Sequence, residues 1–399
     1  MRAQIVLPLV VAAAIVLTSY FLPRFDAVYF ERPHAMSVAS AQALLSAISA
    51  GMITLTAVVF SLAFLVLQFT VSSYSARLAP ILFRDPIMYN ALAVFVATFT
   101  YALGTLASVD INGNGIVPQY SIAVVGALLM LSTFMLLRLI QRLAGLEVYQ
   151  VMRYLHDAGR SIIDSLPPVE TTDATEAPAA PPPALPAKEI AYYGNEPKYV
   201  TSIDTAMLRR FGNGTSPGVV AVCAIGDCIA YGTVIARSYG TRPDDAKILR
   251  AFRFANERSL KTDLSYSIRL LVDTAVRALS PAVNDPTTAV QALDEIEGLL
   301  CRLAGKSLMD GSSWNGYIHL SFDEIRLCGE AQPLVMRRMR AAIIAIAKAA
   351  VTESRRAAAL SYISSIDRSI AESGLDATDS EMMQHADRQG IGVSAQVWG

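Results

Sequence analysis

The chain has 399 residues, of which 53% are hydrophobic and only 17% charged, with a mean hydropathy of +0.40 and a formal net charge of −1. A soluble globular chain carries about 25% charged residues, and the shortfall is concentrated. Sixteen charged residues fall within 1–164 and fifty-one after, the first lysine being Lys188. This excludes a single soluble domain and, with near neutrality, a general nucleic-acid binder; it describes a membrane half and a water-soluble half.

A hydrocarbon core ~30 Å thick needs about 20 apolar residues in a helix. No Asp, Glu, Lys or Arg occurs from 33 to 76, from 86 to 109 or from 111 to 137. With the apolar start of the chain this predicts four spans, at 5–22, 41–74, 88–108 and 118–140, followed by a juxtamembrane helix to 164. The first span follows Arg2 but runs on to Leu22 without a small-x-small cleavage site, which predicts an uncleaved helix. Arginines cluster after the second span (Arg77, Arg84) and after the fourth (Arg138, Arg142, Arg153, Arg160), while the loop around Asn112-Gly113-Asn114-Gly115 has no Lys or Arg. The positive-inside rule then predicts both termini in the cytoplasm of a multi-pass protein of the bacterial inner membrane. The four cysteines, Cys223, Cys228, Cys301 and Cys328, fall in the reducing compartment, so no disulfide is expected.

The second span is the informative one. Read as helical from 40 to 74 it is longer than the bilayer requires. Thr54, Ser61, Gln68 and Ser75 recur at intervals of seven, with Ser72 beside them, which puts them on one slowly drifting face. Such a face either bridges neighbouring helices of one bundle or lines a water-filled path in an oligomer. No ionisable group lies inside the span, which argues against a proton relay or voltage sensor. In the third span Thr98, Thr100, Thr105 and Gly104 predict close helix contact. Arg77 and Arg84 form a basic turn facing headgroups, where Asp85 before Pro86 suits a helix start.

Residues 165–188, rich in proline, predict an extended tether, and 189–240 a small β unit with turns at Gly226-Asp227 and Gly232. Cys223 and Cys228 lack a nearby histidine, a poor zinc pattern. Residues 241–373 predict a helical domain. Within it a long helix spans 244–279, and Pro281 ends it. Asp285 caps a second helix opened by Pro286 and running through 287–303. Asn284, Thr287 and Thr288 stand at that N-terminus, where free N–H groups bind anions, but Asp285 occupies the position and favours a structural or gating corner together with Ser280 and Pro281. A strand is predicted at 314–320, a capping box at Ser321-Phe322-Asp323-Glu324, helices at 333–350 and 354–371, and a loosely ordered tail over 374–399.

Three stretches together carry a resemblance. They are the run from Ala43 through Val58-Val59-Phe60-Ser61 to Gln68, the run Phe95-Val96-Ala97-Thr98-Phe99-Thr100-Tyr101, and the block Leu271-Val272-Asp273 through Ser280-Pro281-Ala282-Val283-Asn284-Asp285-Pro286-Thr287-Thr288-Ala289. They resemble a family of bacterial predicted integral membrane proteins designated only as a domain of unknown function, over about residues 40–345. The resemblance implies the membrane topology and a cytoplasmic C-terminal domain, and it carries no activity, ligand or catalytic residue. Where relatives carry a His pair at the end of the fourth span, this chain has Arg138-Leu139-Ile140-Gln141-Arg142.

The fold class expected is therefore an α-helical membrane protein of four transmembrane helices with a cytoplasmic, mainly helical α+β domain. Nucleophile-elbow, Walker, zincin and dinucleotide motifs are absent, and His34, His156, His319 and His385 are scattered singly, so no enzyme, cofactor or metal is expected. The expected function is a homo-oligomeric channel lined by the second span and gated by the cytoplasmic domain. The alternative is a membrane-anchored sensor or scaffold, favoured by the tether, whose cytoplasmic domain binds a small molecule or a partner protein. The expected partners are the lipid bilayer and further copies of the chain, not nucleic acid.

Overall fold

The computed structural model describes residues 36–73, 86–110, 117–144, 148–169, 188–211, 218–239, 244–308 and 312–392, with four isolated positions before residue 23. It divides into two compact units, one of residues 1–72 and 76–147, the other of residues 148–399 together with 73–75. Among the described residues three helices are long and apolar enough to cross a membrane, over Val38–Leu65, Ile87–Leu106 and Gln119–Arg142. They belong to α1 (Val38–Ser73), α2 (Pro86–Leu106) and α3 (Gln119–Ala144). The span expected at 5–22, apart from those four positions, the turn of Arg77 and Arg84, and Asp85 lie outside the described residues. At 1.5 Å per residue, the 36 residues of α1 extend roughly 54 Å, well beyond the hydrocarbon thickness.

In the first unit α2 and α3 pack along seven-residue seams. Ala91, Thr98 and Thr105 interleave with Phe95, Ala102 and Val109 on α2 and the segment after it, and face Ser121, Val125, Ser132 and Leu139 from α3, all of them buried. Small residues let the backbones approach, and the Thr98 and Ser132 hydroxyls hydrogen-bond at 2.8 Å. Helix α1 joins through Leu45 against Tyr101, Ala102 and Val125, and through Met52 and Val59 against Phe95 and Leu139.

The second unit opens with α4 (Val148–Ser165), whose buried face is Val151, Met152, Leu155, Ile162 and Ile163. Two three-stranded antiparallel sheets follow. One orders β1 (Lys188–Ala191), β5 (Val234–Ser238) and β3 (Val219–Ala221); the other orders β4 (Cys228–Ile229), β2 (Lys198–Ile203) and β6 (Phe252–Ala255). They share a core of Ile190, Val200, Ile229, Ile235, Ile248 and Phe252. Short helices α5 (Thr205–Arg209) and α6 (Asp245–Leu249) complete this part. The turns at Gly226 and Gly232 take φ of +95° and +82°, the left-handed region that favours glycine.

The long helix expected over 244–279 is three elements: α6, β6, and α7 (Leu264–Ala278), which is capped by Asp263 accepting from the Tyr266 N–H. Ile248 and Phe252 satisfy a helical period, but Phe252-Arg253-Phe254 also alternates, and β2 selects that alternation by pairing Ile203 with Phe252 and Val200 with Phe254. The strand expected at 314–320 is likewise part of α9 (Trp314–Cys328). Ser313 accepts from the Gly316 N–H, and Trp314, Tyr317, Ile318, Phe322 and Ile325 form one buried stripe. Ser321 is buried mid-helix, so it does not open a capping box.

Helix α8 (Pro286–Leu303) lies at the centre, touching α4, α7 and α10 (Pro333–Ala349). Arg355, at the start of α11 (Glu353–Ser361), is 1% exposed. Its Nη1 donates to the carbonyls of Leu303, Ala304 and Lys306 at 3.3, 3.0 and 2.8 Å, and its guanidinium stacks 5.3 Å from the Trp314 ring centre. The arginines of α10 are internal ties. Arg338 holds Asp294 and Glu297 of α8, each at 2.6 Å, and Arg340 pairs with Asp367 of α12 (Ile363–Glu372). Arg337 donates to the carbonyls of His385 and Gly392, each at 3.2 Å.

The tail is therefore bound, not loose, as far as residue 392. Helix α13 (Ala377–Met383) buries Met383, and the buried Asp387 carboxylate accepts from the N–H groups of Gln389, Gly390 and Gly392.

A Cβ added at Gly226 would lie 2.5 Å from Asp263 Oδ2, the cap of α7. Gly226→Ala is expected to combine left-handed strain with loss of that cap and cost about 2 kcal/mol, lowering the melting temperature by roughly 4–8 °C. Gly232→Ala meets no atom within 4 Å and should cost less. Thermal melts of the two variants side by side check this.

Candidate functional site

The buried face of α1 runs Ala41, Leu45, Ser49, Met52 and Val59. Residues two apart on a helix are about 200° apart, so Thr54 and Ser61 point away from Met52 and Val59. All three described members of the polar series, Thr54, Ser61 and Gln68, are exposed. The side chain of Ser72 and the whole of Ser75 lie outside the described residues. Thr54 Oγ1 donates to the Ala50 carbonyl at 2.9 Å, so its hydroxyl is satisfied by its own helix. Gln68 stands within the uncharged run of the sequence, between Val66-Leu67 and Phe69.

Two polar sets are thus separated. Of the hydroxyls on α2 and α3, Thr98 and Ser132 meet across the buried seam, while Thr100, Thr105 and Thr133 donate to carbonyls of their own helices. The series on α1 is turned outward, flanked by the exposed Ile53, Phe60 and Phe64. An amide carries two donors and an acceptor with two lone pairs, and leaving them unpaired in hydrocarbon costs several kcal/mol.

The corner between α7 and α8 gathers the six residues picked out by sequence. Ser280 Oγ donates to the Arg277 carbonyl at 2.7 Å, and Asn284 N–H donates to the Ser280 carbonyl at 2.8 Å. Asn284 takes φ of +47°, a conformation asparagine tolerates better than most residues. Asp285 accepts from the Thr288 N–H at 3.1 Å and the Thr288 hydroxyl at 2.5 Å, with Pro286 opening the helix. Asp285 thereby fills the N-terminal position with its own carboxylate. Pro281 and Thr287 are exposed.

Sequence reasoning missed the joint between α4 and α8. His156 Nδ1 lies 2.8 Å from Glu295 Oε2 and 3.1 Å from the Glu295 carbonyl oxygen. The hydrogen bond to the Glu295 carboxylate holds the imidazole above its usual value, outweighing burial. Gly159 and Gly298 let the helices close: a Cβ at Gly159 would meet the Leu299 methyls at 3.1 Å, and one at Gly298 would meet His156 Cε1 at 2.8 Å. A glycine on each of two otherwise regular helices was the available signal.

The chain leaving α4 is then clasped to the end of α8. Val169 N–H donates to the Gly305 carbonyl at 3.0 Å, Ser307 N–H to the Pro167 carbonyl at 2.8 Å, and Lys306 Nζ to the Leu166 carbonyl at 2.9 Å. The residues either side of the proline-rich stretch, Val169 and Lys188, therefore both belong to the second unit, as does α4, so the stretch does not link the membrane helices to it. Elsewhere, burial pushes the Cys223 thiol up to about 11, which keeps it protonated at neutral pH.

Because His156 is more readily protonated in the folded chain, its pairing stabilises the fold fully below the unfolded imidazole value and is lost as pH rises through the folded one. His156→Gln is therefore expected to lower the melting temperature most near about pH 5.5 and least near about pH 8.5. Melts across that range check this; a pH-independent difference would refute the pairing.

The family model described as Predicted membrane protein (DUF2254) matches residues 2–345. The chain is 28% identical over 369 residues to Uncharacterized protein MT1328 of Mycobacterium tuberculosis, covering 86% of this chain and 70% of the relative. It is 27% identical, with the same coverage, to Uncharacterized protein Mb1321c of Mycobacterium bovis and Uncharacterized protein Rv1290c of Mycobacterium tuberculosis. No solved structure matches the chain. With three helices fit to cross a bilayer and a family model spanning most of its length, the chain belongs to the predicted membrane protein family DUF2254.

Proposed function

We propose that the chain is a homo-oligomeric pore of the bacterial inner membrane, lined by α1 and gated by the second unit, which lies in the cytoplasm with both termini. The observation that carries this is the outward turn of Thr54, Ser61 and Gln68, on the helix face opposite the protomer's own packing. Assembly of several copies around that face gives the amide and hydroxyls water, and covers the bare apolar flanks with the neighbouring copy. Thr54, Ser61 and Gln68 line one side of this uncharged helix. A lining of hydroxyls and an amide, with no charged ring, gives weak ion selectivity.

The clasp supports gating over anchoring. Three residues separate Ala144 of α3 from Val148 of α4, a link that reaches no more than about 15 Å, and α4 is locked to α8. Movement of α8 is thus transmitted over a short link. The alternative of a sensor hung on a loose tether loses its support, because the proline-rich stretch is internal to the second unit. In this function the chain is a conduit and no enzyme, and its partners are the bilayer and its own copies.

The test is solute flux from liposomes holding the full chain. Replacing Gln68 and Ser61 by Leu is expected to lower flux about tenfold, the effect of roughly 1.4 kcal/mol on the permeation barrier. Leu137→Ile on the exposed face of α3 should leave flux unchanged. No flux in the native protein, or undiminished flux in the double variant, would overturn the pore.

A further inference from the structure

Helix α4 has a second face that the joint with α8 does not use. In its first two turns Tyr149 and Tyr154 are 47% and 53% exposed, and Arg153 between them is exposed and donates from Nη1 to the Tyr149 hydroxyl at 3.1 Å. Residues 148–156 contain no Asp or Glu; the acids of the helix, Asp157 and Asp164, come later. The opposite side, with Val151, Met152 and Leu155, is buried within the unit, so the aromatic and basic face is not a misplaced core.

The covalent neighbourhood says what this face meets. Helix α3 ends with Leu137 and Ile140 exposed, and Arg138 and Arg142 on its last turns. Arg138 lies over the Phe134 ring, 5.8 Å from its centre. Arginines there mark the exit from hydrocarbon, their stems against apolar surface and their heads in the headgroup layer. Val148 follows Ala144 after three residues, so the first turns of α4 are within reach of that layer. Tyrosine and arginine side by side are the pair that favours it, the ring at headgroup level and the cation against phosphate.

We propose that the first two turns of α4 rest on the bilayer surface, with Tyr149, Arg153 and Tyr154 contacting anionic phospholipid headgroups, and that the helix leaves the surface where Asp157 begins. The occupant is lipid and not protein, because the face continues the run of interfacial arginines that closes α3.

The test places the photoreactive residue p-benzoylphenylalanine at position 154 of the full chain, in nanodiscs of phosphatidylglycerol. Lipid adducts are read by mass spectrometry, with the same residue at 137 on the bare face of α3 and at 231 on the β unit as references. The expected result is a lipid adduct at 154 approaching that at 137 and well above that at 231. It should fall about fivefold in Arg153→Glu or in nanodiscs of phosphatidylcholine, the weight of one arginine near an anionic surface. Adducts at 154 no more abundant than at 231, while 137 still reacts, would overturn the contact. Adducts indifferent to both headgroup charge and Arg153→Glu would overturn the anionic recognition.

Discussion

A single buried cation organises the end of the central helix. Removing a guanidinium from water costs several kcal/mol unless its donors are met, and Arg355 meets them with backbone. The last carbonyls of α8 carry the negative end of the helix dipole, and Nη1 of Arg355 reaches three carbonyls at and just beyond that end. Trp314 stacks on the guanidinium and donates its Nε1–H to the Arg355 carbonyl at 3.0 Å. Thus the ends of α8, α9 and α11 are held at one point. The segment so held, Gly305 to Ser307, is also the segment that receives the chain leaving α4. A residue 48 to 50 positions downstream in the chain, Arg355, thus fixes the segment that receives the end of α4.

The membrane helices show how the same residue types serve opposite ends. Thr98 of α2 and Ser132 of α3 pair across a buried seam, where the alternative would be an unsatisfied hydroxyl in lipid. The series on α1 has the same seven-residue spacing but is rotated about 200° from the packing face. Spacing fixes only that the residues share a side; the side is set by Leu45, Met52 and Val59, which are buried against α2 and α3. The polar side is then outward by consequence, and an outward polar side on a bilayer-spanning helix invites water or another copy of the chain.

Much of the local architecture was legible because it is written in short-range chemistry. Asp285 and Pro286 open α8 as a cap and a proline do, with Thr288 locking the cap, and Gly226 and Gly232 turn the β unit where left-handed backbone is needed. Misreadings arose where one pattern served two periods. Ile248 and Phe252 suit a helix or a strand until β2 offers hydrogen bonds to β6. Trp314 to Leu320 resembles an alternating run until Ser313 caps it as a helix. The tail's local sequence predicts no order because that order comes from Asp387 and Arg337, partners fifty residues apart in sequence whose contact no local pattern announces.

The sequence alone determined the division into an apolar and a charged half, the three described spans and the helix caps, because hydrocarbon thickness, backbone hydrogen bonding and capping act over one segment at a time. Only the tertiary structure decided that α4 belongs with the second unit, that the proline-rich stretch is internal to it, and that the polar face of α1 turns away from its own neighbours. Each of these depends on which surfaces meet. His156 with Glu295, Gly159 against Leu299, and Leu45 against Tyr101 are contacts between segments distant in the chain, and the burial they provide is a property of the pair, absent from either partner's own sequence.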